Sequence, residues 1–136
     1  MLVFVPLSAA ELAGWAATGV HDVAGHAATP SFLEAFGLPA SDTEDADLTL
    51  LEVAGVAGLL AHGVRLVAVC VADAIGTEPA EFGAVSAAGV RWSRVESLFT
   101  DDGHGAALAA SAREAVRGAD LDEAWDSAAI GAMLRT

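Results

Sequence analysis

Residues Glu44–Asp73 read EDADLTLLEVAGVAGLLAHGVRLVAVCVAD, and this stretch decides the fold. Its first part, Glu44–His62, is apolar around most of a helix circumference, which is typical of a helix that lies inside a protein. Gly63 ends this helix, and Val64–Asp73 follows as the most hydrophobic strand in the chain. Because the strand is apolar without interruption over Leu66–Ala72, we expect it to be covered on both faces.

The residues before this stretch predict a strand, a helix, a second strand, and a second helix that opens at Thr29-Pro30 and stops at Gly37. Leu2–Val5 is a short apolar strand, and its two-sided apolar character places it in the middle of the sheet. Ser8 and Glu11 form a capping box that starts the following helix. Val20–Gly25 is predicted to be a loop, and His26–Thr29 a short second strand.

The residues after the central strand predict two more strands and one or two helices. Phe82–Val90 is rich in glycine and alanine, so we expect it near an edge of the sheet. Val95–Thr100 is another strand, and Ala106–Arg117 is an amphipathic helix. The tail, Leu121–Leu134, has a helical pattern, with a final strand over Ala129–Leu134 as the alternative.

The order of elements predicts an α/β protein in which a sheet packs against helices. One domain covers residues 1–136, since neither a linker nor an internal repeat interrupts the chain. The central strand spans about 64–73, and the long buried helix before it spans 44–62. Because the strands after the helix follow one another closely, part of the sheet should be antiparallel, and we expect a mixed sheet.

The composition excludes several classes of protein. Hydrophobic residues make up 54 % of the 136 residues and charged residues 18 %, which excludes a disordered chain. Nineteen acidic residues against six arginines give a net charge of −13. This charge repels phosphate backbones and anionic membrane surfaces, so we expect neither nucleic acid nor a membrane as a partner.

The chain also carries signals about its compartment. Cys70, the single cysteine, lies inside the apolar strand, so no disulfide framework forms within the chain, as is usual in a reducing cytosol. The first residues lack the basic segment of a signal peptide. The most hydrophobic window contains His62, Gly63 and Arg65, which favour a helix, a turn and a strand over a membrane span. We therefore expect a cytoplasmic protein.

None of the strong catalytic motifs is present. The chain has no phosphate-binding loop, no dinucleotide fingerprint, no cysteine cluster for zinc, and neither HExxH nor GxSxG. The best remaining constellation consists of Asp73, after the central strand, and Asp101, Asp102 and His104, after the strand that follows Trp92. If the two strands were parallel neighbours, these side chains would converge beyond their carboxyl ends.

Such a cluster would suit Mg²⁺ or Mn²⁺, which prefer carboxylate oxygens, and would predict metal-assisted phosphoryl or ester hydrolysis. The simpler explanation is that aspartate is common where strands end and that Asp101-Asp102-Gly103 is ordinary turn chemistry. Asp102 also suits the cap of the helix that begins near Gly105.

Two further explanations concern the remaining histidines. His21, Asp22 and His26 flank one short stretch, and imidazole suits transition metals, but nothing in their spacing defines a geometry. Ordinary loop residues explain them equally well. His62 lies at the end of the long helix, where the helix dipole favours a protonated imidazole.

Three segments resemble a small family of uncharacterised actinobacterial proteins, a domain of unknown function. They are VFVPLSAAELAGW (Val3–Trp15), ATPSFLEAF (Ala28–Phe36), and VESLFTDD (Val95–Asp102). The resemblance implies a bacterial, cytoplasmic source and supplies no activity and no site residues. The tail, AWDSAAIGAMLRT, departs from the acidic and aromatic ending of that family.

Two functional hypotheses follow. The first is a protein-binding or interaction module, which recognises another protein or associates with itself as a homodimer. The acidic charge, the lack of a catalytic motif and the apolar surplus motivate it. It needs no cofactor. The alternative is a small hydrolase that depends on Mg²⁺ or Mn²⁺ and uses Asp73, Asp101, Asp102 and His104.

Overall fold

A computed structural model describes residues 1–136, and it has six strands and six α-helices. The strands are β1 (Leu2–Pro6), β2 (Val20–His26), β3 (Leu66–Val71), β4 (Ile75–Gly76), β5 (Ala84–Arg91) and β6 (Val95–Thr100). The helices are α1 (Ala9–Thr18), α2 (Pro30–Phe36), α3 (Thr43–His62), α4 (Gly103–Ala115), α5 (Leu121–Trp125) and α6 (Ala128–Leu134). Single 3₁₀ turns precede β5 and β6. The predicted α/β class is confirmed.

The six strands form one sheet in the order β4-β5-β2-β1-β3-β6. Every neighbouring pair is antiparallel, so the expectation of a mixed sheet with parallel pairs is wrong. A helix between two strands suggests a parallel crossover, but it does not by itself determine the direction in which the second strand returns. Here α1 joins β1 to its antiparallel neighbour β2, and α2 with α3 returns the chain to the other side of β1.

The predicted pair of long helix and apolar strand is confirmed as α3 and β3. The Asp42 carboxylate caps α3 by accepting from the Asp45 N–H at 3.2 Å, and Gly63 ends it with a left-handed φ of 77°. Residues 67–70 of β3 are buried, as expected of a strand covered on both faces. The strand lies next to the sheet edge, between β1 and β6. No helix of the structure has the length and apolarity needed to cross a membrane.

The two faces of the sheet carry different cover. On the face that we call the α1 face, Trp15 of α1 packs with the buried side chains Val3 and Cys70. On the α3 face, α2 and α3 pack on Phe4, Val67 and Val69. Helices α4, α5 and α6 lie outside the sheet and share a third cluster with α3. The protein is therefore a sheet between unequal helical layers.

The two glycines inside α3, Gly55 and Gly58, allow close packing. A Cβ on Gly58 would lie 3.1 Å from the Pro6 Cβ and 3.2 Å from the Val64 carbonyl oxygen. A Cβ on Gly55 would lie 3.4 Å from the Arg65 Cδ. The loss of helix propensity at these positions, on the order of 1 kcal/mol each, accompanies a close approach of α3 to β1 and to the start of β3.

The structure corrects the prediction for residues 20–29. Val20–Gly25 belongs to β2, a seven-residue strand, and the strand predicted over His26–Thr29 is absent after His26. Polar side chains and a register shift between His21 and Val23 interrupt the alternation of apolar and polar residues by which a strand is predicted. It forms because β1 and β5 pair with it on either side. Gly25 allows the close contact, since a Cβ there would lie 2.5 Å from the Phe4 carbonyl oxygen.

The C-terminal region is helical, so the alternative of a final strand over Ala129–Leu134 is wrong. Ser127 caps α6 through its side-chain oxygen, which accepts from the Ile130 N–H at 3.2 Å. Ile130 and Met133 are buried against α3 and α4 in the third cluster. This spacing of three residues is helical and does not match the alternation of a strand.

Candidate functional site

The four residues predicted to bind a metal do not converge. Strands β3 and β6 are neighbours, but they are antiparallel, and Leu66 at the start of β3 lies opposite Thr100 at the end of β6. Asp73 follows the end of β3 and Asp101 follows the end of β6, so the two carboxylates lie at opposite ends of this strand pair. The convergence that the metal hypothesis requires depends on parallel strands, which this sheet does not contain.

The members of this set near the end of β6 already have structural partners or face solvent. Asp101 forms an ion pair with Arg65, in which Nε and one terminal nitrogen of Arg65 donate to the two carboxylate oxygens at 2.8 and 2.7 Å. Asp102 caps α4 by accepting from the Gly105 N–H at 2.7 Å, as turn chemistry predicts. His104 is exposed in the first turn of α4. No group of three or more His, Cys, Asp and Glu side chains is arranged to hold a metal ion. The hydrolase stays a prediction without support from this geometry.

Strand β6 forms an open edge of the sheet. It pairs only with β3, and no backbone hydrogen bond joins Glu96–Thr100 to any other segment. Edge strands usually carry lysine, proline, several charges or a bulge that block pairing with another chain. In β6 the only charged residue is Glu96, where the register with β3 shifts by one residue, and from Ser97 to Thr100 the register is regular. The outer side of this segment therefore presents unpaired backbone donors and acceptors.

Two large apolar side chains lie on this edge. Leu98 is 48 % exposed and Phe99 is 44 % exposed. Leu98 lies opposite Ala68 and Phe99 opposite Val67, so they occupy the α1 face and the α3 face respectively. An added strand would meet one apolar side chain on each of its faces.

The opposite edge of the sheet is less suited to pairing. Strand β4 has only two residues and is followed closely by Pro79. Beyond β4, the outer strand is β5, where Gly89 has a left-handed φ of 62° and donates its N–H to the Asp22 carboxylate at 2.8 Å. These features interrupt the regular pattern of an extended edge. The sheet thus has one regular open edge, at β6.

The structure brings the other polar residues of interest together in one cleft. His21, Asp22 and His26 of β2 line it with Glu11 of α1 and His62 of α3, and we call it the histidine cleft. It has a volume of about 470 Å³ and lies between the C-terminal turns of α3, the sheet and the loop before Pro79. The structure therefore places His21, Asp22 and His26 in one site, as the sequence suggested. It does not arrange them to hold a metal ion.

Glu11 connects two elements at the rim of this cleft. One of its oxygens accepts from the Ser8 N–H at 3.0 Å, as the capping box predicts, and lies 3.3 Å from the His62 Nε2. The hydrogen bond from the Ser8 backbone holds the pKa of the Glu11 carboxyl below its usual value. The carboxylate is therefore ionised at neutral pH and can accept a hydrogen bond from the His62 Nε2.

His26 is the buried histidine of the cleft. Only 6 % of its surface is exposed, and its Nδ1 lies 2.9 Å from the Phe82 carbonyl oxygen. Burial lowers the pKa of the imidazole, so the neutral form is favoured. Sequence reasoning placed His26 at the start of a strand and missed its partner, because Phe82 lies fifty-six positions away. Glu78, which also lines the cleft, gave no signal in the sequence.

Comparison with known proteins yields one family match. Its description is a family of unknown function (DUF6912), and the match covers residues 1–134. This range contains all three segments on which the resemblance to an uncharacterised family depends. No curated protein and no solved structure matches the chain.

Proposed function

Because the chain belongs to DUF6912, a family of unknown function, we propose its function from its own surface. We propose a protein-binding module that pairs an extended segment of another protein with the outer edge of β6. The observation that supports it is the regular open edge of β6, with Leu98 and Phe99 exposed on its two faces. The proposal includes a cytoplasmic location, which the lone buried Cys70 supports.

Strand addition suits the chemistry of this edge. In this mode of recognition, main-chain hydrogen bonds supply affinity, and alternating side chains supply specificity. Leu98 and Phe99 lie on opposite faces, so the partner would contribute an apolar side chain beside each of them. Glu96 would favour a cationic side chain opposite it.

The charge of the chain favours a basic partner over a second copy. Each copy has a net charge of −13, so two copies meeting along β6 repel each other. A basic segment is attracted by the same field, and its association accelerates at low ionic strength. We therefore assign a segment of a basic protein to this edge, and a homodimer is the competing outcome.

The proposal can be tested by site-specific photo-crosslinking in the source cells. A benzophenone amino acid replaces Phe99 in one variant and Ile75 in a second, since Ile75 is an exposed apolar residue at the opposite edge. We expect the first variant to form an adduct with a basic protein and the second to form none. Leu98→Lys in the first variant should abolish the adduct, because a lysine at the edge repels a basic segment.

Other results would contradict the proposal. Equal adducts from both positions, or no adduct from position 99, would remove β6 as the binding edge. An adduct with a second copy of the chain would replace the basic partner by self-association. Light scattering on the purified protein checks this last outcome. Self-association along β6 would double the measured mass, and Leu98→Lys would return it to the mass of one chain.

A further inference from the structure

The histidine cleft is a second feature, separate from the β6 edge, and β6 contributes none of its lining residues. Its volume of about 470 Å³ lies in the range of small-molecule sites, which is roughly 300–1,000 Å³. Part of the lining is apolar and includes Pro6, Ala57 and Leu121, which are partly exposed. The cleft thus combines an apolar lining with the polar groups of Glu11, Asp22, His26, His62 and Glu78.

His26 presents an unpartnered acceptor to this cleft. The Phe82 carbonyl oxygen can only accept a hydrogen bond, so the Nδ1 at 2.9 Å must carry the hydrogen. In the neutral imidazole, Nε2 then has a free lone pair, and no protein group donates to it. No fully buried side-chain nitrogen or oxygen lacks a partner, so this Nε2 is not fully enclosed, and His26 is among the residues that line the cleft. A group that donates a hydrogen bond would satisfy it.

The charged groups around His26 define the sign of the ligand. Asp22, Glu11 and Glu78 line the cleft, and neither lysine nor arginine does. Each carboxylate accepts a hydrogen bond from a backbone N–H with one of its oxygens. The donor is Gly89 for Asp22, at 2.8 Å, Ser8 for Glu11, at 3.0 Å, and Ala80 for Glu78, at 3.1 Å. The second oxygens have no hydrogen-bond partner in the protein and are acceptors for a cationic donor.

These observations together describe a ligand. We infer that the histidine cleft binds a small aliphatic diamine, with one ammonium group donating to His26 Nε2, the other donating to carboxylates of the lining, and the methylene chain between them on the apolar lining. A bare metal ion fits less well, because no three His, Cys, Asp or Glu side chains are arranged to hold one. An anionic ligand would meet three carboxylates and neither a lysine nor an arginine.

The inference can be tested with 1,4-diaminobutane as the probe, by titration of ¹⁵N-labelled protein at constant low chloride. We expect saturable shifts confined to amides that line the cleft, among them those of Ala24, His26 and Thr77. Asp22→Asn keeps the acceptor for the Gly89 N–H but removes the charge, so binding should weaken about tenfold. Asp102→Asn is the matched control, because Asp102 also accepts one backbone N–H and lies outside the cleft.

The remaining variants and probes separate recognition from general attraction. His26→Phe should also weaken binding. If this substitution of a buried residue impairs folding, Asp22→Asn still provides the test. The uncharged analogue 1,4-butanediol should not bind. Shifts spread over the acidic surface, equal weakening by both Asn variants, or equal binding of the diol would overturn the inference. None of these outcomes depends on whether β6 binds a protein.

Discussion

Arg65 and Asp101 form a two-point ion pair that connects the start of β3 to the end of β6. The guanidinium donates to both carboxylate oxygens at 2.8 and 2.7 Å, and the two side chains are only 21 % and 19 % exposed. Such a paired geometry fixes both side chains and is stronger than a single hydrogen bond between neutral groups. Asp101 therefore has a structural role at the place where the sequence suggested a metal ligand.

Loss of this carboxylate should destabilise the protein. Asp101→Ala leaves the partly buried Arg65 guanidinium unpaired, so we expect the free energy of unfolding to fall by roughly 1–3 kcal/mol. Urea unfolding followed by tryptophan fluorescence measures this. The matched control is Glu114→Ala, which breaks the exposed pair with Arg117 and should change stability by no more than about 0.5 kcal/mol.

Asp101→Ala, together with Asp73→Ala, also tests the hydrolase hypothesis. That hypothesis expects Asp73→Ala and Asp101→Ala each to weaken Mn²⁺ binding while the fold survives. A titration of Mn²⁺ into the wild-type protein and both variants distinguishes the two roles. Unchanged Mn²⁺ binding in both variants would contradict the metal site. If Asp101→Ala lowered the free energy of unfolding no more than the Glu114 control does, the structural role of Asp101 would be contradicted.

Gly25 should tolerate no side chain. An added Cβ would lie 2.5 Å from the Phe4 carbonyl oxygen and 3.0 Å from the Val3 Cγ1, so β1 and β2 would have to separate. We expect Gly25→Ala to lower the free energy of unfolding by about 2–3 kcal/mol or more. Gly14→Ala is the control in α1, where no atom lies within 4 Å of the added Cβ. It should stabilise the protein by about 0.5–1 kcal/mol, as in other helix interiors. Equal effects would contradict the close approach.

His26 should make stability depend on pH. Burial depresses the pKa of its imidazole below the ordinary value of 6.5, so the unfolded chain binds a proton more readily than the folded protein does. The associated stability is present above pH 6.5 and is lost as the pH falls through the lower folded-state pKa. Urea unfolding at pH 7.5 and 5.5 should therefore show a larger loss in the wild type than in His26→Gln. His104→Gln, at an exposed site, should behave as the wild type does. A wild type and a His26→Gln variant with the same pH dependence would refute this.

Cys70 should be unreactive in the folded protein. Its side chain is fully buried in β3, and burial raises the pKa of the thiol to about 11, so little thiolate forms at pH 8. We expect an aromatic disulfide reagent to modify no thiol in native buffer and one thiol per chain in denaturant. Rapid stoichiometric modification of the native protein would show that this part of β3 opens readily.

Local features of the sequence predicted several elements correctly. The Ser8–Glu11 capping box, the α3 helix that Gly63 ends and the strand β6 depend on residues close together in the chain. The prediction of a loop at Val20–Gly25 was wrong. Strand β2 is stabilised by pairing with β1 and β5, and its own polar pattern does not predict a strand. Propensity is a weak prior where neighbouring strands determine the outcome.

The candidate sites divide in the same way. The sequence indicated that Asp102 suits a helix cap, and it caps α4, because capping involves residues three positions apart. It could not indicate that Arg65 pairs with Asp101, or that His26 contacts Phe82, since thirty-six and fifty-six positions separate these partners. The exposure of Leu98 and Phe99 was equally hidden, because an apolar strand looks the same at the edge and in the middle of a sheet.

By itself, the sequence determined that this chain forms one α/β domain built around α3 and β3, with an acidic surface and a buried cysteine. Apolar periodicity, capping residues and net charge are local or additive properties, so they can be read without knowing the fold. Only the tertiary structure decided that all strands are antiparallel, that β6 is an open edge, and that three histidines and several carboxylates share a cleft. These features depend on the direction in which distant segments pair, which is set by the packing of the whole chain.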